Sequence, residues 1–197
     1  MARQEINIGT TANDGTGDPL RTSFDKTNDN FTDLYNVSGW GVYQDAETTP
    51  ATQTITTTAS KIQIDGGGSA SNSDYLPREI RGVSELWDTI NDKITPINVG
   101  DAYDVRIDLT VDSKTGAPSY IQFDLDIGGG AAPTIIVVER ILGVAKTPPY
   151  SLSIGFPIFS LATFIANGGQ LFVSTDVGTL TIGKRQIFIK RDYNGLT

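Results

Sequence analysis

Few residues in this 197-residue chain are equipped for catalysis. It contains no His and no Cys, which excludes Ser-His and Cys-His nucleophile pairs, thiolate chemistry and Cys/His zinc sites. Proton transfer would have to rest on carboxylates, and Asp124 and Asp126 stand two apart in the run Tyr120 to Ile127. A glycosidase needs two such groups flanking the scissile bond, one with a raised pKa. Here Ile121, Phe123, Leu125 and Ile127 alternate with them, so the spacing predicts that both carboxylates lie on the wet face of a half-buried strand. Asp14 and Asp18, with Gly15 and Gly17 between, have the composition of a cation loop, but neither the twelve-residue calcium spacing nor its terminal Glu is present. The clusters Gly66–Gly68 and Gly128–Gly130 precede no helix opening with Lys-Ser/Thr, which makes them turns and not phosphate cradles. The sequence therefore predicts no catalytic residues, no cofactor and no metal.

Charge and hydropathy narrow the partners. Fifteen Lys+Arg against 23 Asp+Glu give a net charge of −8, the wrong sign for tracking phosphates, so no nucleic acid is expected. Met1 to Thr10 lacks the apolar stretch of a signal peptide, and no run approaches the roughly 18 apolar residues of a membrane helix, so no membrane insertion is expected. The glycosylation triplets at Asn30 and Asn36 read as chance occurrences. With 38% hydrophobic residues, 19% charged and 21 Gly, the composition suits a mainly β chain with many turns.

One segment departs from that pattern. Asp18 followed by Pro19 predicts a helix start, the carboxylate capping free N–H groups and the proline pre-setting φ. Leu20, Phe24, Thr27, Phe31 and Leu34 then recur at spacings of 4, 3, 4 and 3, a heptad seam, and Gly39 supplies the stop. The helix is expected over about Pro19 to Val37. Its other faces are polar, so the apolar stripe is narrower than that of a helix packed on a globular core. Such a seam seeks like partners, although two to three heptads are marginal alone and need the following domain to hold the chains together. The alternative is a single amphipathic helix lying on the β domain. Upstream, Ile6 and Ile8 alternate like a short edge strand, and Asn13 to Gly17 reads as an ordered tight loop.

The run Ile6-Asn7-Ile8-Gly9, then Asn13-Asp14-Gly15-Thr16-Gly17-Asp18-Pro19-Leu20-Arg21-Thr22, then Lys26-Thr27-Asn28-Asp29-Asn30-Phe31-Thr32-Asp33-Leu34-Tyr35, resembles the N-terminal element of tailed-bacteriophage structural proteins. It is similar to the start of the trimeric baseplate-wedge and fibre-connector proteins of T-even-type phages and of many phage fibre proteins. The resemblance implies an element that trimerises and attaches the protein to the virion. Carried over, Leu20, Phe24, Thr27, Phe31 and Leu34 would form the trimer seam, and Asp14, Gly15, Gly17, Asp18 and Arg21 the virion-docking turn. Thr27 stands where that family often has Ile, which should loosen the coil.

Beyond Gly39 the chain reads as short strands. Gln53 to Thr58 and Lys61 to Asp65 are β-branched or alternating. Tyr103 to Val111 places Val105, Ile107, Leu109 and Val111 on one face, and Thr115 to Pro118 predicts an antiparallel pairing of this strand with Tyr120–Ile127. Thr134 to Glu139 is apolar on both faces, and Ser151 to Phe159 raises the same question of cover. A neighbouring subunit answers it, so Ile136, Val138, Phe156 and Phe159 are the expected head interface. Gln170–Thr175, Thr179–Ile182 and Gln186–Ile189 close the chain as three short strands, while Glu85–Ile90 carries a brief helix-scale period. Together these predict an antiparallel two-sheet jelly-roll-like sandwich preceded by an N-terminal coiled-coil helix. More loosely, this part resembles trimeric jelly-roll heads of the tumour-necrosis-factor and C1q type.

The expected organisation is a virion-anchoring loop and trimerising helix over residues 1–39 and a β-sandwich head over 40–197. The expected function is that of a non-enzymatic homotrimeric fibre or spike protein, assembled in the host bacterial cytoplasm and located in the virion. Its expected partners are other virion proteins of the tail, baseplate or capsid. The alternatives are a capsid decoration or head-fibre protein, or a module binding a host cell-surface glycan or protein, with Tyr43, Tyr75, Tyr103 and Tyr150 available to stack on sugar rings.

Overall fold

A computed structural model of the chain describes residues 4–11, 14–35, 38–45, 52–64, 75–129, 135–142, 146–193 and 195, without the side chains of 33–35, 135–140 and 142. The turn expected at Gly66–Gly68 lies outside the described residues. Helix α1 (Leu20–Tyr35) is followed by β1 (Gly39–Gln44), β2 (Gln53–Ile55), β3 (Ser60–Lys61), β4 (Trp87–Asp88), β5 (Lys93–Ile94), β6 (Ala102–Thr115), β7 (Tyr120–Asp126), β8 (Ile135–Leu142) and β9 (Tyr150–Phe159). A short helix α2 (Ala162–Asn167) precedes β10 (Gln170–Thr175) and β11 (Thr179–Tyr193).

The strands form two main antiparallel sheets, one in the order β1-β11-β6-β9 with β2 also on β11, the other in the order β3-β10-β7-β8. Period-two alternation builds them. In β6, Tyr103, Val105, Ile107, Leu109 and Val111 are buried while Asp104 and Arg106 are exposed. These residues and Ile187 and Ile189 of β11 share one core cluster with Ile121, Phe123, Leu125, Leu171 and Val173 of the other sheet. Among the described residues no strand packs along α1.

Four sequence expectations are corrected. First, β6 and β7 do not pair: β6 lies between β11 and β9, and β7 between β10 and β8. The connection through Gly116 passes from one sheet to the other, and alternation alone carries no information on which strand is the neighbour. Second, Asp124 and Asp126 are buried, not on a wet face. The alternation itself holds, with Ile121, Phe123 and Leu125 in the core and the extra residue of the register shift lying in β8, but the face of the carboxylates is covered as well, and they find local donors, Gln122 Nε2 at 2.9 Å for Asp124 and the Gly128 amide at 2.9 Å for Asp126. Third, Thr179–Ile182 and Gln186–Ile189 are one strand. Between Ile182, opposite Val111, and Arg185, opposite Leu109, β11 carries one residue more than β6, a bulge in which the Lys184 amide donates to Thr110 Oγ1 at 2.9 Å. Fourth, Glu85–Ile90 contributes the β4-β5 hairpin, whose turn is organised by Asp88 accepting the Ile90 and Asn91 amides at 2.9 and 3.0 Å.

Buried ion pairs tie the chain ends into this frame. Arg185 donates to Asp45 at 2.6 Å with both side chains enclosed, which locks the segment after β1 to β11. Arg191, fully buried, meets Asp101 at 3.5 Å and Glu79 at 2.8 Å. Asp101 also accepts the Tyr103 hydroxyl at 2.8 Å and the amides of Asn98 at 3.1 Å and Gly195 at 2.7 Å. Removing one member of such a cluster strands the others without water. Asp101→Ala is therefore expected to cost about 3–5 kcal/mol in urea unfolding, and a loss below about 1 kcal/mol, the size of a surface pair, would contradict that role.

Candidate functional site

Helix α1 begins after Pro19, whose carbonyl accepts the Ser23 amide at 2.9 Å. The Asp18 carboxylate does not cap it. Instead it accepts the Asn7 amide at 2.9 Å and Lys26 Nζ at 2.7 Å, and these donors hold its pKa below the ordinary carboxylate range, Lys26 contributing most. The expected capping role is thus replaced by a link between the helix and the segment that precedes the loop.

That segment, Gln4 to Gly9, runs back along one flank of α1. The Gln4 amide donates to Asn30 Oδ1 at 2.8 Å while Asn30 Nδ2 donates to the Gln4 carbonyl at 2.9 Å, so the asparagine side chain imitates a strand partner. Gln4 Nε2 reaches Asp29 at 2.8 Å, Lys26 Nζ reaches the Glu5 carbonyl at 3.0 Å, and the Asp18 amide donates to the Asn7 carbonyl at 2.8 Å. The sequence assigns no site role to Asn7, Lys26 or Asn30. The one local signal is Asn7-Ile8-Gly9, an Asx turn in which the Gly9 amide donates to Asn7 Oδ1 at 3.0 Å.

The loop between arm and helix is folded around Asp14. Its carboxylate accepts the Thr10 amide at 2.7 Å, the Thr10 hydroxyl at 2.7 Å, the Thr11 amide at 2.8 Å, the Thr16 amide at 2.9 Å and the Thr16 hydroxyl at 2.8 Å. Five donors on one carboxylate, the Thr16 amide foremost, depress its pKa far below the usual value. Gly17 fits because a Cβ there would stand 3.0 Å from the Asn7 carbonyl oxygen, and Gly15 adopts a φ of +72°. Of the five residues expected in the docking turn, Asp14, Gly15, Gly17 and Asp18 come together in this loop. Arg21 lies on the first turn of α1, exposed, and among the described residues takes part in no hydrogen bond of the loop.

The expected seam lies about a quarter-turn around the helix from the arm-bound residues Lys26 and Asn30, at about 100° per residue. Leu20, Phe24 and Phe31 are 74%, 59% and 52% exposed. Thr27 sits at the border of the two faces, half-buried, with its hydroxyl donating to the Ser23 carbonyl at 2.8 Å. The side chain of Leu34 lies outside the described residues.

In the head, the side chains of Ile136 and Val138 are likewise outside the described residues. Phe156 is buried in the core and Phe159 is exposed, so the two do not share a face. Their separation is odd, and in a strand that parity sends them to opposite sides. Among the tyrosines, Tyr43 and Tyr103 are core residues whose hydroxyls bond Glu85 and Asp101 at 2.8 Å each, Tyr150 is half-buried, and Tyr75 stacks on Trp40 with centroids 4.9 Å apart. Among the described residues no helix is long and apolar enough to cross a membrane.

The depressed pKa of Asp14 fixes a pH dependence. A lowered folded pKa contributes stability that is present above the unfolded value of about 3.9 and is lost as pH falls toward the folded pKa. The Thr10, Thr11 and Thr16 amides should therefore stay protected from hydrogen exchange at pH 5 to 7 and lose protection progressively below about pH 4. Asp14→Asn should remove most of that protection at every pH. Protection unchanged in Asp14→Asn would show that the carboxylate does not organise the loop.

Residues 3–117 match the family model described as bacteriophage T4 gp9/10-like protein, N-terminal, a span from the arm through α1 to the turn after β6. No curated protein sequence matches the chain. Among solved structures it is similar to the Eiger TNF of S. frugiperda, at 9% identity over 82% of this chain and 96% of that one with a TM-score of 0.49. It is also similar to the PRD1 vertex protein P5, at 11% identity over 80% of this chain and 99% of that one with a TM-score of 0.43. With more than half of its length matched, the chain belongs to the bacteriophage T4 gp9/10-like family through its N-terminal part.

Proposed function

We propose that this protein is a non-enzymatic structural component of a phage virion: a homotrimer anchored through residues 1–39 and displaying residues 40–197 as a jelly-roll-like β-sandwich head. The observation that carries the reading is the exposed heptad stripe of Leu20, Phe24 and Phe31 on a helix that, among the described residues, no strand covers. Burying a side chain of this size is worth about 1.5–3 kcal/mol, and heptad spacing directs that burial into a coil of like helices. A coil of this length is marginal alone, so the heads contribute to assembly. Family membership supports the virion role, and the resemblance of the arm and helix to trimeric phage proteins supports three copies. The loop ordered by Asp14, with Gly15, Gly17 and Asp18, and Arg21 beside it, is the surface proposed to dock on other virion proteins. Of the two expected head-interface residues whose side chains are described, Phe159 is the exposed one.

A tail or baseplate fibre and a capsid decoration share this architecture, and gold-labelled antibody on intact virions separates them. A host glycan or protein is the proposed target of the head's loops in the fibre role.

Sedimentation of the full chain tests the assembly. A mass of three times 21.1 kDa is expected, shifting toward monomer by at least about tenfold in dissociation constant in Phe24→Ser/Phe31→Ser, the equivalent of about 1.4 kcal/mol. Both positions are exposed in the protomer, so the variant keeps its fold. A monomeric wild-type chain at micromolar concentration would overturn the proposal.

A further inference from the structure

The arm before α1 has one side bonded to the helix and its loop and one side open. Asn7 turns both of its backbone groups toward Asp18, its amide donating to the carboxylate at 2.9 Å and its carbonyl accepting the Asp18 amide at 2.8 Å. In an extended chain the residues before and after such a position present their amides and carbonyls on the opposite side. Those residues are Ile6 and Ile8, and among the described residues neither their amides nor their carbonyls take part in a hydrogen bond. The Ile8 side chain is 89% exposed, and a surface hollow of about 400 Å³ runs along Glu5, Ile6, Asn7 and Ile8. The result is a short strand edge with its donors and acceptors open, on two β-branched residues suited to pairing. Such backbone groups must be hydrogen-bonded, by water until another strand displaces it.

Natural edges are blunted with Lys, Pro or bulges, and Glu5 to Ile8 contains neither Lys nor Pro. This edge is instead held in place at both ends. Gln4 is clasped by Asn30. Gly9, at a φ of +79°, passes so close to Asp14 that a Cβ would stand 2.7 Å from Oδ1, a position only glycine fills. An edge shaped in advance loses less entropy when a strand joins it. Charge indicates what joins. Residues 4–35 hold six carboxylates against Arg21 and Lys26, a balance of −4 within the chain's −8, and Glu5 beside the edge is exposed. Two such arms repel one another, which disfavours a second copy as the occupant, whereas a segment bearing Lys or Arg is attracted.

We infer that the open edge at Ile6 and Ile8 receives an extended, Lys/Arg-bearing segment of another virion protein, which adds to the arm as a second strand. This rests on the docking role proposed above for the N-terminal element and gives it a binding mode: main-chain hydrogen bonds to Ile6 and Ile8, with the exposed Ile8 side chain covered by the incoming strand. Pairing along two residues is weak in one copy. Three arms on one trimer multiply it through effective concentration, provided the partner presents its segments at matching spacing.

Amide hydrogen exchange resolved to single residues, measured on the free full-length protein and on purified phage particles carrying it, is the test. The Ile6 and Ile8 amides should exchange as unbonded amides in the free protein and at least about tenfold slower on the particle, while the Asn7 amide, already bonded, changes less. Ile8→Pro removes an edge donor that has no partner within the chain. It should leave the sedimentation mass and circular dichroism of the free protein unchanged and lower retention on particles at least about tenfold. Glu5→Lys should shed from particles at lower salt than the wild type. Fast exchange at Ile6 and Ile8 on the particle, or wild-type retention of Ile8→Pro while Asp14→Asn is lost, overturns this inference and leaves docking through the loop standing. Slow exchange already in the free protein assigns the edge to another copy and also overturns it. Glu5→Lys held more tightly than the wild type overturns the basic partner. Wild-type retention of both Ile8→Pro and Asp14→Asn overturns the docking role and this inference together.

Discussion

One constraint organises the molecule: the flank of α1 that its own chain can cover is taken by the N-terminal arm, and the flank it cannot cover is apolar. Gln4, Glu5 and Asn7 occupy the side that bears Lys26 and Asn30 through main-chain and amide hydrogen bonds. Leu20, Phe24 and Phe31 are left facing solvent on the other side. A polar arm on one side and a hydrophobic stripe on the other give the helix two distinct partners, one internal and one external. The arm also has a fixed geometry. Asp14 and Asp18 gather it and the loop against the first turns of the helix, so the surface proposed for docking is shaped before any partner is met, which lowers the entropic cost of binding.

The head continues that logic. Gly39 starts β1 with its backbone so close to Pro77 that a Cβ would stand 2.3 Å from the Pro77 nitrogen, which fixes the exit of the helix on the sheet. The Asp45-Arg185 pair holds the far end of the same strand to β11, and Arg191 with Asp101 and Glu79 holds β11 to the segments that precede β6 and β4. Buried ion pairs are costly to form and costlier to break singly. Their position here clamps the strand that follows the helix to the sandwich core.

Much of this was legible in the sequence because it is written in local periodicity. The 4-3-4-3 spacing and Pro19 located α1 to within a few residues, and alternation located β6, β7, β9 and β10. What periodicity cannot carry is which strand stands beside which, and there the expected pairing of Tyr103–Val111 with Tyr120–Ile127 failed: the same alternation serves two strands of one sheet or two strands facing each other across a core. Asp124 and Asp126 broke the wet-face rule because β7 is an interior strand, between β10 and β8, whose second face is also buried. Gly183-Lys184-Arg185, the gap between two expected strands, belongs to β11: Arg185 faces inward to Asp45 and a bulge keeps the strand whole. In the candidate site, Asp14, Gly15, Gly17 and Asp18 were readable from their turn chemistry. Asn7, Lys26 and Asn30 were not, because their partners lie 8 to 26 residues away. Phe156 and Phe159 carried their own correction in their odd spacing.

The self-association of α1 is tested most directly by a distance between copies. A nitroxide on Asn28→Cys, which lies on the polar side of the helix in a chain otherwise free of cysteine, reports the separation of equivalent positions by pulsed dipolar spectroscopy. A three-stranded parallel coil predicts one narrow inter-chain distance of about 20 Å, set by interaxial spacings of 8–10 Å plus the labels on their outward faces. The absence of any inter-chain dipolar signal at concentrations where the virion protein assembles would contradict it.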